Sequence, residues 1–307
     1  MSTVTAKAPA APAGRPAASA APVRDKGRRR VLHAFLIVMS MLWLFPLLYA
    51  AMNSLRSYEY TQENGYLSFG GWTFDNYTTA WERAGFTGKF INTMYVTVPG
   101  VLLTLFLSSC MAFVLARFSF KLNLTLLGIF LAANLLPQQA LLIPLYRMFR
   151  EIPLPEFMNA DGGTLLNSYW ALILVNTAFQ TGFCTFVLSN YMKTIPKEIY
   201  ESAMVDGASV LRQYWQLTLP LCRPPLAALA TLQVTWIYNE FFWATVLMQT
   251  GDKFPITSSL NNLRGQFFTD VNLVAAGSLI VALPPLLVFF VLQRQFVSGL
   301  TLGATKG

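Results

Sequence analysis

Six apolar segments in this sequence are each long enough to cross a lipid bilayer as a helix. The hydrocarbon core of a bilayer is about 30 Å thick, so a spanning helix needs roughly 20 apolar residues. Only 12% of the 307 residues are charged, about half of the share that is usual in soluble domains. The segments are 31–52, 91–116, 122–146, 167–191, 225–249 and 272–293. We therefore predict an all-α membrane protein with six transmembrane helices.

Lysine and arginine residues predict the orientation of these helices. An even number of spans places both termini on one side, and loops rich in Lys and Arg stay in the cytoplasm. With a cytoplasmic N-terminus, most of the 22 Lys and Arg residues fall on the cytoplasmic side. They lie in the tail, the 117–121 turn, the 192–224 loop and the C-terminus. We predict cytoplasmic termini and an outside loop at 53–90.

The first 30 residues differ in composition from the rest of the chain. They are rich in Ala and Pro and end in Arg28-Arg29-Arg30. So few bulky apolar side chains cannot form a core, and the arginines can anchor the first span at anionic headgroups. The sequence predicts a disordered cytoplasmic tail at 1–30, followed by a single membrane domain at 31–307.

The composition argues against several chemistries. Cys110, Cys184 and Cys222 do not form the pattern of a disulfide framework, and the single His33 has no second histidine with which to hold a metal. No G-x-x-x-x-G-K-[ST] motif for ATP phosphates is present, so no cofactor is predicted for this chain. The basic residues flank spans and do not predict nucleic-acid binding. Because the sequence shows no set of residues that could act together in catalysis, we predict that the chain is not an enzyme.

A polar loop at about 193–224 separates the fourth and fifth apolar segments. Pro196 is a helix start signal, and the predicted helix over 197–206 is followed by Gly207, a natural helix stop. Ser209 can cap a second short helix. Amphipathic helices of this kind are common at membrane surfaces, and such a helix can also dock into a partner protein. Because the loop joins two spans directly, its movement would tilt both of them.

The residues of this loop resemble the EAA loop of bacterial ABC importer permeases. In that family Glu-Ala-Ala is followed after three residues by Gly, and after nine more by an apolar residue, any residue and Leu-Pro. The residues that we assign to a docking loop are Glu201, Ser202, Ala203, Asp206, Gly207, Ala208, Leu219 and Pro220. The single departure is Ser202 in place of the first Ala, and serine is small enough to preserve docking.

Further stretches resemble the carbohydrate-importing branch of this family, the maltose-type inner-membrane permeases. They are Asn92-Thr93 and residues 115–118, 136–139, 144–146 and 239–241. The resemblance covers residues 31–307 and implies a type I ABC importer permease core in the bacterial plasma membrane. It implies a second related permease, an extracellular sugar-binding protein and two ATPase subunits, which use ATP and Mg²⁺. The 193–224 loop would then be a coupling helix that docks on an ATPase subunit.

Polar side chains near the middle of the apolar segments are candidates for a translocation path. Such side chains are costly in hydrocarbon and usually face a bundle interior or a water-filled path. The candidates are Asn134, Gln138, Gln139, Gln180, Asn239 and Glu240. Together with the rings of Trp236, Tyr238 and Trp243, their amides and carboxylate suit a sugar. The same residue types also form hydrogen bonds between helices, so both roles stay open.

These observations favour the permease subunit of an ATP-driven importer for a disaccharide or short oligosaccharide. Closure of the ATPase subunits would drive alternating access, and the resemblance implies that the partner permease can supply most of the sugar site. The same machinery with glycerol phosphate or a polyol as cargo is an alternative, although a phosphorylated cargo would want Lys or Arg in the path. An ion-coupled carrier is a further alternative, but it predicts internal repeats and several buried acidic residues.

Overall fold

A computed structural model describes residues 26–155, 157–158, 163–265 and 269–301. The predicted disordered tail lies outside these residues except for 26–30, which are helical. The described residues contain isolated bridges but no strand, so the predicted all-α class is confirmed for them. Their helices are α1 (Lys26–Ser54), α2 (Tyr58–Asn64), α3 (Asp75–Ala84), α4 (Phe86–Arg117), α5 (Asn123–Asn134), α6 (Leu142–Glu151), α7 (Tyr169–Met192), α8 (Lys197–Val205), α9 (Val210–Gln213), α10 (Leu219–Leu221), α11 (Arg223–Tyr238), α12 (Phe242–Leu247), α13 (Ile256–Ser259) and α14 (Val271–Thr301).

Four helices in the described part of the chain are long and apolar enough to cross a membrane. They are Arg29–Ser54 within α1, the whole of α4 and α7, and Val271–Gln293 within α14. These four match the first, second, fourth and sixth predicted spans. The structure differs from the prediction at the third and fifth.

The predicted third span, 122–146, is not a straight helix. α5 ends at Asn134, and the following segment, Gln138–Glu151, is bent by 91° from it. Pro137 lies in the break; proline has no N–H to continue a helix, and the residue before it avoids helical conformation. Counting this bent pair as one span gives five spans in total, so the predicted number of six is not confirmed.

The predicted fifth span, 225–249, is also broken. α11 contains 16 residues and ends at Tyr238, and α12 begins at Phe242. A helix end leaves backbone N–H and C=O groups without partners, and the bilayer core offers no water to satisfy them. The joint between the two helices therefore needs hydrogen bonds from within the protein.

The chain divides into two units, with the boundary after Tyr49. The contacts that follow all lie within the second unit. There α4 packs along α7 and against α11, α5 packs on α7, and α14 packs against α11 and α3. Most of the largest buried side chains belong to these helices and to α12, among them Leu172, Leu188, Tyr238 and Trp243.

The buried Arg56 stabilises the segment between α1 and α3 through hydrogen bonds. Arg56 is 0% exposed, and its guanidinium donates to the carbonyl oxygens of Tyr66 at 2.9 Å and Gly65 at 3.0 Å. Its own carbonyl oxygen accepts from the side-chain amides of Asn76 at 2.8 Å and Asn272 at 2.9 Å. The predicted outside loop is therefore an ordered element with two helices, and the start of α14 is tied to it.

α5 and α7 cross closely at Gly182. A Cβ atom at this position would lie 2.5 Å from the carbonyl oxygen of Phe130 and 2.7 Å from the side-chain nitrogen of Asn134. Small residues at helix crossings allow backbones to approach each other in membrane proteins. Gly182 thus keeps Asn134 against α7.

We expect Gly182→Ala to lower the free energy of unfolding by roughly 1–3 kcal/mol, because the added methyl group meets backbone atoms that cannot rotate away. Gly128→Ala on α5 is the matched control, since a Cβ there meets no atom within 4 Å. Thermal unfolding of both variants, purified in detergent, checks the difference. An unchanged Tm for Gly182→Ala would contradict the close crossing.

Candidate functional site

One cavity of about 610 Å³ collects polar side chains from both broken helices and from α7. Five of the six residues predicted for a translocation path line it, and the sixth, Gln139, does not. We call it the polar cavity; its lining is Asn134, Gln138, Asn176, Phe179, Gln180, Thr235, Trp236, Asn239, Glu240, Phe241, Phe242 and Trp243. The structure brings the candidates together, while their role in translocation stays a prediction.

The two helix breaks explain why polar groups gather at this place. The polar cavity contains the end of α5 at Asn134 and the joint between α11 and α12. Irregular backbone at membrane depth is tolerated only where protein buries it or where it lines a water-filled cavity. The breaks and the cavity are therefore parts of the same arrangement.

Glu240 caps the helix that follows the second break. Its Oε1 accepts from the backbone N–H of Trp243 at 2.7 Å, and its Oε2 accepts from that of Ala244 at 2.9 Å. A carboxylate at a helix N-terminus is stabilised by these N–H groups and by the helix dipole. The backbone carbonyl of Glu240 accepts from the hydroxyl of Thr257 at 2.9 Å. This predicted path residue thus holds the joint together while forming part of the cavity wall.

We expect Glu240→Ala to destabilise the protein by about 2 kcal/mol, because two N–H groups lose a charged acceptor. Asn239→Ala is the neighbouring control, since Asn239 is exposed and its side chain bonds only to Thr235 among the described residues, at 2.8 Å. Thermal unfolding in detergent compares the two. Equal decreases in Tm would show that the carboxylate does not hold the joint.

The amide side chains of the polar cavity are partly used within their own helices. Asn134, Asn176 and Asn239 each donate to the carbonyl oxygen four residues earlier, at 3.1, 2.8 and 2.8 Å. An amide has two donor hydrogens and an acceptor oxygen, so each keeps further capacity for a polar ligand. Gln233, by contrast, is buried outside the cavity and donates to Sγ of Cys184 at 3.1 Å, which joins α11 to α7.

Only one of the three predicted stacking rings is placed to meet a ligand in the polar cavity. Trp236 lines it with 46% of its surface exposed. Trp243 is 1% exposed and stacks on Phe179, with ring centroids 5.9 Å apart. Tyr238 is buried and lines a different, apolar cavity. Of the three predicted rings, Trp236 is therefore the one that a ligand in the cavity can contact.

Several lining residues of the polar cavity were not predicted from the sequence, Thr235 and Phe179 among them. Thr235 precedes Asn239 by four residues on α11, and Phe179 precedes Gln180 on α7. The spacing of four residues places Thr235 on the same helix face as Asn239, and that signal was present in the sequence. Phe179 carried no such signal, because an apolar ring in an apolar segment does not stand out.

The loop after α7 forms two short helices on either side of Gly207. α8 ends at Val205, and Gly207 has a φ of 75°, a conformation that favours glycine. Ser209 caps α9, since its Oγ accepts from the N–H of Arg212 at 3.3 Å. The predicted second helix, however, continues as a π turn over Tyr214–Thr218. A buried hydrogen bond between Tyr214 and Ser109 accompanies this turn.

Two tyrosines hold the loop: Tyr200 bonds within it, and Tyr214 ties it to α4. The hydroxyl of Tyr200 on α8 lies 3.1 Å from that of Thr218, and the hydroxyl of Tyr214 lies 2.7 Å from that of Ser109 on α4. Burial raises the pKa of Tyr200 and raises the pKa of Tyr214 to about 12. Both phenols therefore stay neutral at physiological pH, and the bond between Tyr214 and Ser109 connects the loop to α4.

The loop also presents apolar side chains at its surface. Met204, Val205, Val210 and Leu211 are exposed, and we call them the outer apolar face. Exposed apolar patches of this kind mark interaction surfaces. Of the predicted docking residues, Ala203, Ala208 and Leu219 are half-buried, and the exposed ones are Glu201, Ser202, Asp206, Gly207 and Pro220. The hydroxyl of Ser202 donates to the carbonyl oxygen of Glu198 at 2.8 Å, so this departure from the family pattern leaves no unpaired group.

Cys222, just before α11, lies buried beneath the loop, and burial raises the pKa of its thiol to about 12. Only the thiolate reacts with alkylating reagents, so we expect the folded chain to be unreactive at Cys222 near pH 8. Its alkylation rate should keep rising with pH and show no plateau near about 8.5, the usual thiol pKa. Peptide mass spectrometry of a Cys110→Ala/Cys184→Ala variant measures the rate. A plateau near pH 8.5 in the folded chain would refute the burial.

The architecture and both regions define a membrane permease: broken helices surround a polar cavity, and a loop exposes an apolar face. The chain belongs to the family of binding-protein-dependent transport system inner membrane components, whose family model matches residues 100–301. The predicted membership is thereby confirmed. By this family, the chain is an inner membrane permease component of a transport system.

Two curated relatives and one solved structure illustrate the likeness. The chain is 32% identical over 283 residues to the probable ABC transporter permease protein PH1036 of Pyrococcus horikoshii, covering 89% of this chain and 96% of the relative. It is 32% identical to the melibiose/raffinose/stachyose import permease protein MelC of Bacillus subtilis, covering 76% and 82%. The fold matches a chain of a bacterial ABC transporter that imports the acidic polysaccharide alginate, with a TM-score of 0.73, 22% identity, and coverage of 89% and 98%.

Proposed function

We propose that this protein is a permease subunit of an ATP-driven importer for a disaccharide or short oligosaccharide. The observation that carries the proposal is the loop around Gly207, which is anchored to α4 on one side and exposes an apolar face on the other. A family of permeases without an ATP site of their own needs such a surface for an ATPase subunit. The partners are two ATPase subunits, a second permease and an extracellular sugar-binding protein.

The cargo assignment rests on the polar cavity. Its amides keep donors and acceptors free for hydroxyl groups, and Trp236 offers a ring on which the apolar face of a sugar can stack. The Bacillus subtilis relative is named for melibiose, raffinose and stachyose, which are short oligosaccharides. The partner permease can supply further contacts to the same cargo.

The alternatives fit the polar cavity less well. None of its described lining residues is Lys or Arg. The phosphate of a glycerol phosphate cargo would therefore meet no cation of this chain in the cavity lining. A neutral polyol would still fit. An ion-coupled carrier needs acidic groups that can bind the ion, whereas the carboxylate of Glu240, the one acid of the cavity lining, already caps α12.

The mechanism that follows is a population shift between two access states. ATP-driven closure of the ATPase subunits moves the outer apolar face toward its counterpart on the second permease. Since the chain runs directly from α7 through the loop into α11 and Tyr214 bonds to Ser109 on α4, the ends of these three helices move with the loop. The polar cavity then opens outward and receives sugar from the binding protein, and ATP hydrolysis resets the assembly. The chain itself carries out no covalent chemistry.

We expect Val205→Lys to abolish co-purification of the ATPase and ATP-dependent uptake of raffinose, because docking would bury a lysine. Val205 is 88% exposed, and the matched control is Phe157→Lys, since Phe157 is 87% exposed. A tagged chain is expressed in its own host, and co-purifying proteins are identified by mass spectrometry. The control variant should retain both the ATPase and the uptake.

Other results of the uptake and co-purification measurements would favour the alternative functions. Uptake that persists after ATP depletion but stops with a protonophore would overturn the proposal in favour of the ion-coupled carrier. Uptake of glycerol phosphate without raffinose would overturn the sugar assignment and keep the importer. Loss of the ATPase from both variants would show that the outer apolar face is not the specific docking site.

A further inference from the structure

A second cavity lies at the α8 end of the bundle and differs sharply in charge from the polar cavity. It measures about 290 Å³, near the lower end of small-molecule sites. We call it the basic pocket; its lining is Phe113, Ala116, Arg117, Met192, Lys193, Ile195, Lys197 and Tyr200. Three of these residues are cationic, and none of the described lining residues is acidic.

The three cations come from three different elements. Arg117 is the last residue of α4, Lys193 follows the last residue of α7, and Lys197 is the first residue of α8. Like charges held around one concavity repel each other, unless an anion enters between them. Positive residues near span ends are expected in the cytoplasm, but that rule does not require them to converge on a pocket.

Arg117 is held in place without a carboxylate. Its guanidinium lies over the ring of Tyr200, 4.9 Å from the centroid, and one of its nitrogens lies 3.7 Å from Sδ of Met204. These contacts orient the planar donor fork and leave its charge uncompensated by the described residues. A fork of this kind matches the oxygens of a phosphate group.

We propose that the basic pocket binds a phosphate group, as carried by an anionic phospholipid headgroup or by free phosphate. Arg117 takes the phosphate oxygens through its fork, and Lys193 and Lys197 add two point charges. Phe113, Ala116 and Ile195 supply an apolar floor on which the glycerol and first methylene groups of a lipid can lie. Basic pockets between helices at the cytoplasmic membrane surface suit such headgroups.

Binding in this pocket would tie three elements of the loop region together. The phosphate would bridge the ends of α4 and α7 to the first residue of α8, the helix that carries the docking residues. Membrane composition would thereby set the position of the loop. The binding itself is independent of the transport proposal, because it needs no partner subunit and no sugar.

The test measures phosphatidylglycerol binding to the full chain, purified in detergent, by native mass spectrometry with phosphatidylcholine as the neutral comparison. We expect Arg117→Gln/Lys193→Gln/Lys197→Gln to weaken phosphatidylglycerol binding at least about tenfold. The matched control, Lys121→Gln/Arg212→Gln/Arg223→Gln, removes the same charge from exposed sites outside the pocket. It should change binding less than about twofold.

Since Arg117 also contacts Tyr200, the double variant Lys193→Gln/Lys197→Gln provides a second measurement. Both lysines are exposed, so the fold does not depend on them, and their loss should still weaken phosphatidylglycerol binding severalfold. A free-phosphate source is tested in phosphatidylcholine nanodiscs with added inorganic phosphate. Protection of Lys193 and Lys197 from an amine-reactive label by phosphate alone would assign the site to the free ion, and protection by phosphatidylglycerol alone would assign it to the lipid.

Three results would overturn the inference. Equal losses in the pocket variant and the control would show that binding follows diffuse surface charge. Equal binding of both lipids by the native chain, together with no protection by phosphate, would show that no phosphate site exists. Unchanged lipid binding with loss of a co-purifying ATPase in the pocket variant would assign the cations to an acidic partner surface.

Discussion

The carboxylate of Glu240 is the interaction on which the centre of this permease depends. Its two oxygens accept from the N–H groups of Trp243 and Ala244, which have no partner within the first turn of α12. The polar cavity exists because the protein satisfies its own backbone at the joint.

The polar residues of the structure fall into two groups, those that bond inside the protein and those that line the polar cavity. Buried groups such as Gln233 and Arg56 spend their hydrogen bonds inside the protein, whereas Asn134 and Gln180 line the polar cavity. Close packing at Gly182 brings α5 and α7 near enough for one of these walls to form. The candidate path residues and the residues that hold the helices together are therefore of the same types and differ only in position.

At the other end of the bundle, the loop is bonded to a spanning helix. Tyr214 ties it to α4 and Tyr200 bonds within it, while Val205 and Leu211 remain exposed. The basic pocket lies beside the same helix and includes Tyr200 in its lining. Contacts with a partner and with a phosphate group would thus both act on α8.

By itself the sequence determined the all-helical membrane class, four of the spans, the two loop helices around Gly207 and the family. Length, hydropathy and local caps set these features, and all of them are readable along the chain. Pro137 was visible as well, but its consequence, a bend of 91°, was not, because many prolines such as Pro99 stay inside continuous helices. Glu240 caps α12 through residues only three and four positions later, but the helix break that this cap serves was not predicted. The tertiary structure alone decided that the path candidates share a cavity. That outcome depends on helix crossings between residues far apart in sequence, which no local pattern encodes.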